Sequence, residues 1–229
     1  MTAESHHHII LNFHGLGTPH ADVDATEAPY WLSVAQFEQV LDRVQSFSSG
    51  GGRVRLTFDD GNRSDLDIAV QKLRQRGLEA TFFVLLGRMA DPRYLSAEDI
   101  RDMAASDMKI GLHGRHHLDW RQVAAETFQD ETVRAAYELS EITGSCVDEV
   151  AIPFGAYNRK IMAALHRQHF RKIHTSDTGA ACISARIQPR NTIRADTDVA
   201  SLGQILQDRY GLQRRLKRRL SQLLRRHLL

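Results

Sequence analysis

Short β-rich runs at 9–13 (Ile-Ile-Leu-Asn-Phe), 53–58, 80–86, 108–112, 149–152 and 170–175, with a weaker one at 192–193, are separated by segments whose apolar residues recur every three to four positions. Ser33 opens the first such segment, with Gln36 at the capping-box position and Phe37, Val40, Leu41 and Val44 on one face. Ser64 opens the second, where Leu66, Ala69, Val70 and Leu73 form the stripe and Gly77 is placed to end the helix in a left-handed cap. Ser96 and Asp99 begin a third, and further helices are predicted over 124–143, closed by Gly144, and over 158–167. Residues 46–52, rich in Ser and Gly, read as a loose linker. Repeated strand–helix units imply a parallel sheet or barrel. Seven strands in roughly 200 residues suit a small single-domain (β/α) barrel, whose chemistry would lie at the C-terminal ends of its strands.

Composition narrows the class. Of 229 residues, 42% are hydrophobic and 25% charged, which excludes a disordered or low-complexity chain. The apolar run at 9–13 is too short for a signal-peptide core, and the roughly 18 unbroken apolar residues of a membrane span occur nowhere, so a cytoplasmic protein is expected. Cys146 and Cys182 are the two cysteines, expected as reduced thiols, and they exclude a Cys-rich metal site. The net charge of +2 is uneven: residues 209–229 hold eight Lys or Arg and no acid, leaving 22 bases against 28 acids, a net of −6, for 1–208. The division predicted is therefore a catalytic body, 1–208, and a basic helical tail, 209–229. In the tail Leu212, Leu216, Leu220, Leu223 and Leu224 recur at helical spacing among arginines, the pattern of an interfacial helix peripheral to an anionic membrane face. With no basic stripe on the body, nucleic acid is not expected as a partner.

The chemistry-bearing residues cluster at strand ends. The second strand runs into Asp59-Asp60-Gly61, two adjacent carboxylates where the chain turns. Alone this is a turn ahead of a helix; with an ion, one acid becomes a ligand and the other stays free as a base. The fourth strand ends in His113-Gly-Arg-His-His117, where His113 and His117 stand four apart and His116 is the competing partner at three, with Asp119 as a flanking orienter. Two His and one Asp make the three-ligand, open-position arrangement of a hydrolytic metal site, most simply zinc. The fifth strand ends in Ile152-Pro153-Phe154-Gly155, where Phe154 would present a flat wall, and the first in Phe13-His14-Gly15. His6 to His8 precede that strand and read as a tag-like or solvated terminus.

Together, Thr57 to Gly61 and His113 to His117 resemble the Thr-Phe-Asp-Asp-Gly and His-x-x-x-His motifs of the polysaccharide deacetylases, carbohydrate esterase family four, over roughly residues 9–194. The resemblance implies a deformed (β/α) barrel in which Asp59 is the general base and Asp60, His113 and His117 bind the metal. It implies removal of an N-acetyl group from an amino sugar of a polysaccharide or lipid-linked glycan precursor. Removal of formyl from a lipid-linked amino sugar and a non-catalytic carbohydrate-binding relic are the alternatives. The family's Arg-x-Pro-aromatic motif stands here as Ala151-Ile152-Pro153-Phe154, without the arginine that orients the base. Arg190, in Gln-Pro-Arg-Asn at 188–191, is the late arginine expected to reach the mouth and hold Asp59, and with Phe154 it is placed among the substrate-binding residues. No late general-acid motif follows His174. The chain is in this respect similar to the circularly permuted subgroup of poly-N-acetylglucosamine deacetylases, which implies His14 as the acid.

Overall fold

Six strands pair in parallel in chain order: β1 (His7–Phe13), β2 (Val54–Asp60), β3 (Ala80–Val84), β4 (Lys109–Leu112), β5 (Glu149–Ala151) and β6 (Lys172–Thr175). The computed structural model describes residues 6–21 and 23–209; the predicted tail helix lies outside the described residues, Arg209 apart. β7 (Ala180–Cys182) runs antiparallel along His7 to Ile9 of β1. β8 (Ile187–Pro189) then pairs with β6, and β9 (Asn191–Thr192), one residue further on, pairs with β1. The single stretch 187–192 thus joins the last strand to the first, and the sheet becomes a nearly closed barrel. The (β/α) barrel read from the alternation is present, with 187–192 as its seventh stave. The weak run at 192–193 and the Gln-Pro-Arg-Asn stretch before it, not read as a strand, together provide that stave.

Helices cover the outside. α1 (Val34–Ser49) carries the predicted capping box, with Gln36 N to Ser33 Oγ at 3.2 Å and Ser33 N to Gln36 Oε1 at 3.0 Å. It runs through most of the predicted linker because Ser46 and Ser49 donate their hydroxyls to the carbonyls of Asp42 and Gln45 one turn back, leaving 50–52 as the connection. In the second segment Ser64 is not the cap: its backbone is already helical, and its hydroxyl accepts from Leu16 N at 3.1 Å instead. That segment starts as a π turn (Asp65–Val70) before α2 (Gln71–Arg74), and Ala69, Val70 and Leu73 are buried as the stripe requires. α3 (Ala97–Ala104) has its Ser96–Asp99 box. The 124–143 segment is α4 (Ala125–Gln129), a π turn (Asp130–Arg134) and α5 (Ala135–Thr143), ended by Gly144 at φ 67°. α6 (Arg159–His166) is capped by Asn158, and α7 (Val199–Leu206), unforeseen in the sequence, is capped by Asp198 and packs on α1. None of these helices is long and apolar enough to cross a membrane.

The pleat sorts side chains into two populations. Ile9, Leu11, Phe13, Leu56, Phe58, Phe82, Val84, Ile110 and Leu112 join the helix faces in one hydrophobic core outside the barrel. Phe58 stacks on Phe13 at 5.1 Å and on Phe82 at 4.7 Å, with Phe37 of α1 edge-on to Phe13 at 5.3 Å. The alternate positions point inward and many are polar: Asn12, Thr57, Asp59, Thr81, His113, Glu149, His174, Gln188 and Arg190 are all buried. Bonds that skip intervening strands cross this interior. At its lower end Glu149 of β5 takes Arg55 Nη2 from β2 at 3.2 Å, Lys109 Nζ at 2.8 Å and His174 Nε2 at 2.7 Å. Burial would raise the Glu149 pKa, but His174 and the cations hold it well below the usual carboxylate range. Above this layer Phe83 fills the barrel, and a Cβ on Gly111 would lie 2.5 Å from its ring, so the strand tolerates only glycine there. His7 and His8 belong to β1 rather than to a free terminus, and His8 is buried with Nε2 2.8 Å from Gln188 Oε1, because the antiparallel β7 covers that end of the strand.

Candidate active site

β2 aims Asp59 into the barrel, and the next residue leaves the strand's alternation. Asp60 has φ 77° and Gly61 φ 68°, so the chain turns back over the mouth and both carboxylates serve the same space. Aspartate enters the left-handed region at lower cost than most residues. From β4 the ladder continues one residue, His113 N to Val84 O at 2.9 Å, which fixes His113 at the strand end. Its Nδ1 lies 3.0 Å from the Ala151 carbonyl, which can only accept, so Nδ1 carries the proton and Nε2 offers a lone pair. His117 reaches the same point from a turn at φ 56°. Asp60 Oδ1 sits 3.6 Å from His113 Nε2 and 3.7 Å from His117 Nε2, and it is buried with no hydrogen-bond partner among the described residues.

Three ligand atoms of Asp60, His113 and His117 lie within 4.8 Å of one another. The edges of a tetrahedral zinc site with bonds of about 2.1 Å are about 3.4 Å long, so the observed spacings fit an ion between these groups. Burial foremost, then His113, pushes the His117 pKa down to about 4, leaving the imidazole neutral at pH 7 as a ligand must be. Burial pushes Asp60 the other way, but the imidazoles of His117, His14 and His113 keep it below its ordinary value. The four-residue histidine spacing is the one that converges; His116 turns toward Gly87, where a Cβ would meet its Nδ1 at 2.6 Å. Asp119 does not orient the histidines. It caps the short turn Trp120–Gln122 and pairs with Arg121, so its carboxylate oxygens are taken by its own turn.

Asp59 is held from beneath. Arg190 Nη1 donates to Oδ1 at 2.7 Å and Nη2 to Oδ2 at 2.8 Å, while Asn12 Nδ2 donates to Oδ2 at 2.9 Å. Asn12 Oδ1 in turn accepts from Arg190 Nη1 at 2.7 Å and from Thr57 Oγ1 at 2.8 Å, so four side chains form one closed network. Burial would raise the Asp59 pKa; the Arg190 guanidinium overrides it and holds the carboxyl far below the usual range. Arg190 thus stands where the expected clamp was sought, but it is 1% exposed and stacked 5.2 Å over Phe83, beneath Asp59. The expectation that it also touches substrate is therefore corrected: the β8–β9 junction points it into the barrel instead of across the mouth. Asn12 and Thr57 were missed by sequence reasoning. Their signal was the polar residue at the inward strand position two before a site residue, in register as Asn12 opposite Thr57.

His14 follows β1 directly and lies beside this centre. Its Nδ1 is buried with no hydrogen-bond partner among the described residues, and its ring lies 5.0 Å from that of Tyr30. Burial lowers its pKa, partly countered by Asp60 and Asp59. Phe154, at φ 57° after Pro153, is 64% exposed and its ring lies 4.2 Å from that of His117, a wall on one side of the mouth. His174 is elsewhere, fully buried against Glu149 and 4.7 Å from the Phe83 ring.

A sequence profile of the polysaccharide deacetylase family matches residues 48–173, more than half of the chain and the span holding both motifs. The chain belongs to that family. Among curated relatives, YxkH of Bacillus subtilis (strain 168) is 24% identical over 128 residues, 56% of this chain and 46% of YxkH, so the alignment spans about half of that relative's length. Among solved structures, the deacetylase PplD of Streptococcus pyogenes, determined with acetate, superposes with a TM-score of 0.75 at 19% identity over 87% of this chain and 98% of PplD. IcaB from Ammonifex degensii gives 0.71 at 22% identity over 88% and 96%. These likenesses show that the barrel is the deacetylase fold.

Proposed function

We propose that this family member is a metal-dependent hydrolase that removes an N-acetyl group from an amino sugar of a polysaccharide or glycan precursor. The observation that carries the reading is the convergence of Asp60, His113 and His117 beside a second, clamped carboxylate, Asp59. Those three residues would hold a divalent ion, and their donor set suits zinc. Such an ion, when bound, polarises the amide carbonyl and acidifies the attacking water.

The protein's own groups do the rest. Asp59 accepts the proton of the attacking water; an acidic water suits so weak a base, and the Arg190–Asn12 clamp keeps the carboxylate from rotating away. His14 enters this step protonated and hands that proton to the nitrogen as the C–N bond breaks, releasing acetate and the free amine, and the proton taken up by Asp59 recharges it for the next turnover. Burial lowers the His14 pKa, which makes its imidazolium the stronger acid. The exposed Phe154 ring offers a flat apolar face to a sugar.

The test is metal analysis of the purified protein, followed by acetate release from N-acetylhexosamine oligomers before and after chelation. Release that chelation abolishes and zinc restores is expected. A protein that takes up no divalent ion, or whose acetate release ignores chelator, would overturn the reading.

A further inference from the structure

The two histidines that face Asp60 lie on the loop 113–117, and the loop's backbone is held by a residue from a distant helical segment. Glu131, in the π turn Asp130–Arg134, has no exposed surface. Its Oε1 accepts from His116 N at 2.9 Å, and its Oε2 accepts from Arg115 N at 3.1 Å and from the Trp120 indole N–H at 3.4 Å. Two of the three donors come from the loop that carries the histidines, and the third from the turn that follows it. On the loop's other side, Gly114 O and Arg115 O accept from Leu86 N at 3.3 Å and Gly87 N at 2.8 Å. Two of the four peptide units between His113 and His117, those joining Gly114 to Arg115 and Arg115 to His116, are thus fixed on both edges. Gly114, at φ 98°, is part of the device: a Cβ there would stand 2.7 Å from Glu131 Oε2. The Arg115 side chain reaches the same helical segment, with Nε 3.2 Å from Asp130 Oδ2 and Nη2 2.7 Å from Glu138 Oε2.

A carboxylate buried against backbone N–H groups is a specific arrangement, because the same N–H groups left unpaired would carry a desolvation penalty. Glu131 lies within a π turn, a local departure from the regular helix of the kind often found at functional sites. From this geometry we propose that Glu131 is a positioning residue for the ion site: by holding the Arg115 and His116 amides it sets the turn that brings His117 Nε2 to within 3.7 Å of Asp60. The proposal rests on the reading of Asp60, His113 and His117 as metal ligands. Glu131 would touch neither the ion nor the substrate and acts through the loop alone.

The experiment measures the affinity of the full chain for Zn²⁺ by competition with a chromophoric chelator, and the visible absorption of the Co²⁺-loaded protein, for wild type and Glu131→Gln. Glutamine keeps the size but turns an NH₂ group toward donors, so one of the two amide bonds is lost. The expected result is folded protein with metal affinity weakened about 10- to 100-fold, the usual consequence of losing a group that orients ligands, and a changed Co²⁺ band. Affinity within twofold of wild type and an unchanged Co²⁺ spectrum overturn the proposal. Should Glu131→Gln not fold, Glu131→Asp, one methylene too short to reach both amides, is judged by the same two readings. If neither variant folds, Glu131 is a folding determinant and the positioning role is overturned. A wild-type chain that binds no divalent ion instead sinks the ligand assignment itself, an outcome separate from one in which wild type and variant bind alike.

Discussion

Replacing Arg190 with methionine isolates the clamp on Asp59. The two side chains are 1% and 4% exposed, and Arg190 supplies two of the three hydrogen bonds that the carboxylate receives. Methionine keeps an apolar stem of similar length against Phe83, so the change removes charge rather than volume. What is left is a buried carboxylate with Asn12 as its remaining donor. Breaking a buried ion pair by deleting one partner costs about 3–5 kcal/mol. At a urea slope of about 2 kcal/mol/M this lowers the unfolding midpoint by about 2 M at pH 7.

The loss should depend on pH in a defined sense. In the wild type the depressed Asp59 pKa contributes stability that is complete above the unfolded value of about 3.9 and is lost as pH falls through the native one. In Arg190→Met burial acts unopposed by the guanidinium, the native pKa rises above the unfolded one, and the penalty is present at neutral pH and relieved on acidification. The difference between the two proteins should therefore be largest near pH 7 and shrink as pH falls toward 4. Adding Asp59→Asn to Arg190→Met should recover much of the loss, since the uncompensated charge is gone. Urea titrations at pH 7 and pH 4 on Arg190→Met, the double variant and the wild type decide it. A destabilisation under about 1 kcal/mol, or one that is the same at both pH values, would refute the assignment of Arg190 as the group that makes a buried Asp59 tolerable.

Asp60→Ala should lose both bound ion and turnover, whereas Asp59→Asn should keep the ion and slow turnover about 10²-fold or more, as read by metal analysis and acetate release; equal metal loss in both would mean the pair is misassigned. His14→Ala should leave metal content unchanged and slow amide hydrolysis more than hydrolysis of an activated phenyl acetate, because an amine must be protonated to leave and a good phenolate need not be; equal losses would indicate positioning. Burial lowers the His174 pKa to about 4, against the bond to Glu149, so the unfolded chain binds the extra proton between about pH 6.5 and 4 and wild-type stability should fall across that interval. His174→Gln should flatten that slope in thermal melts; an unaltered slope would show that another group causes it.

The alternation of strand and helix patterns, the capping boxes at Ser33 and Ser96, and the motifs at 57–61 and 113–117 were all legible because each is local: a period, a cap or a spacing is complete within a dozen residues. The same locality explains the errors. Ser64 has the right residue type for a cap, but the Leu16 amide competes for its hydroxyl from 48 positions away. Ser46 and Ser49 look like linker and instead finish a helix whose apolar face is already buried. Asp119 stands near the histidines in sequence and serves its own turn. What makes the site work is set by closure of the barrel. Arg190 reaches Asp59 across 131 positions because 187–192 bonds to β6 with one half and to β1 with the other; Ala151 O meets His113 across 38, and Glu131 meets the histidine loop across 15 and 16. A buried charge or ligand needs partners, and the sequence named most of the groups that need them. Which partners they receive depends on strand order, register and the direction of each pleat, and these exist only once the sheet has closed.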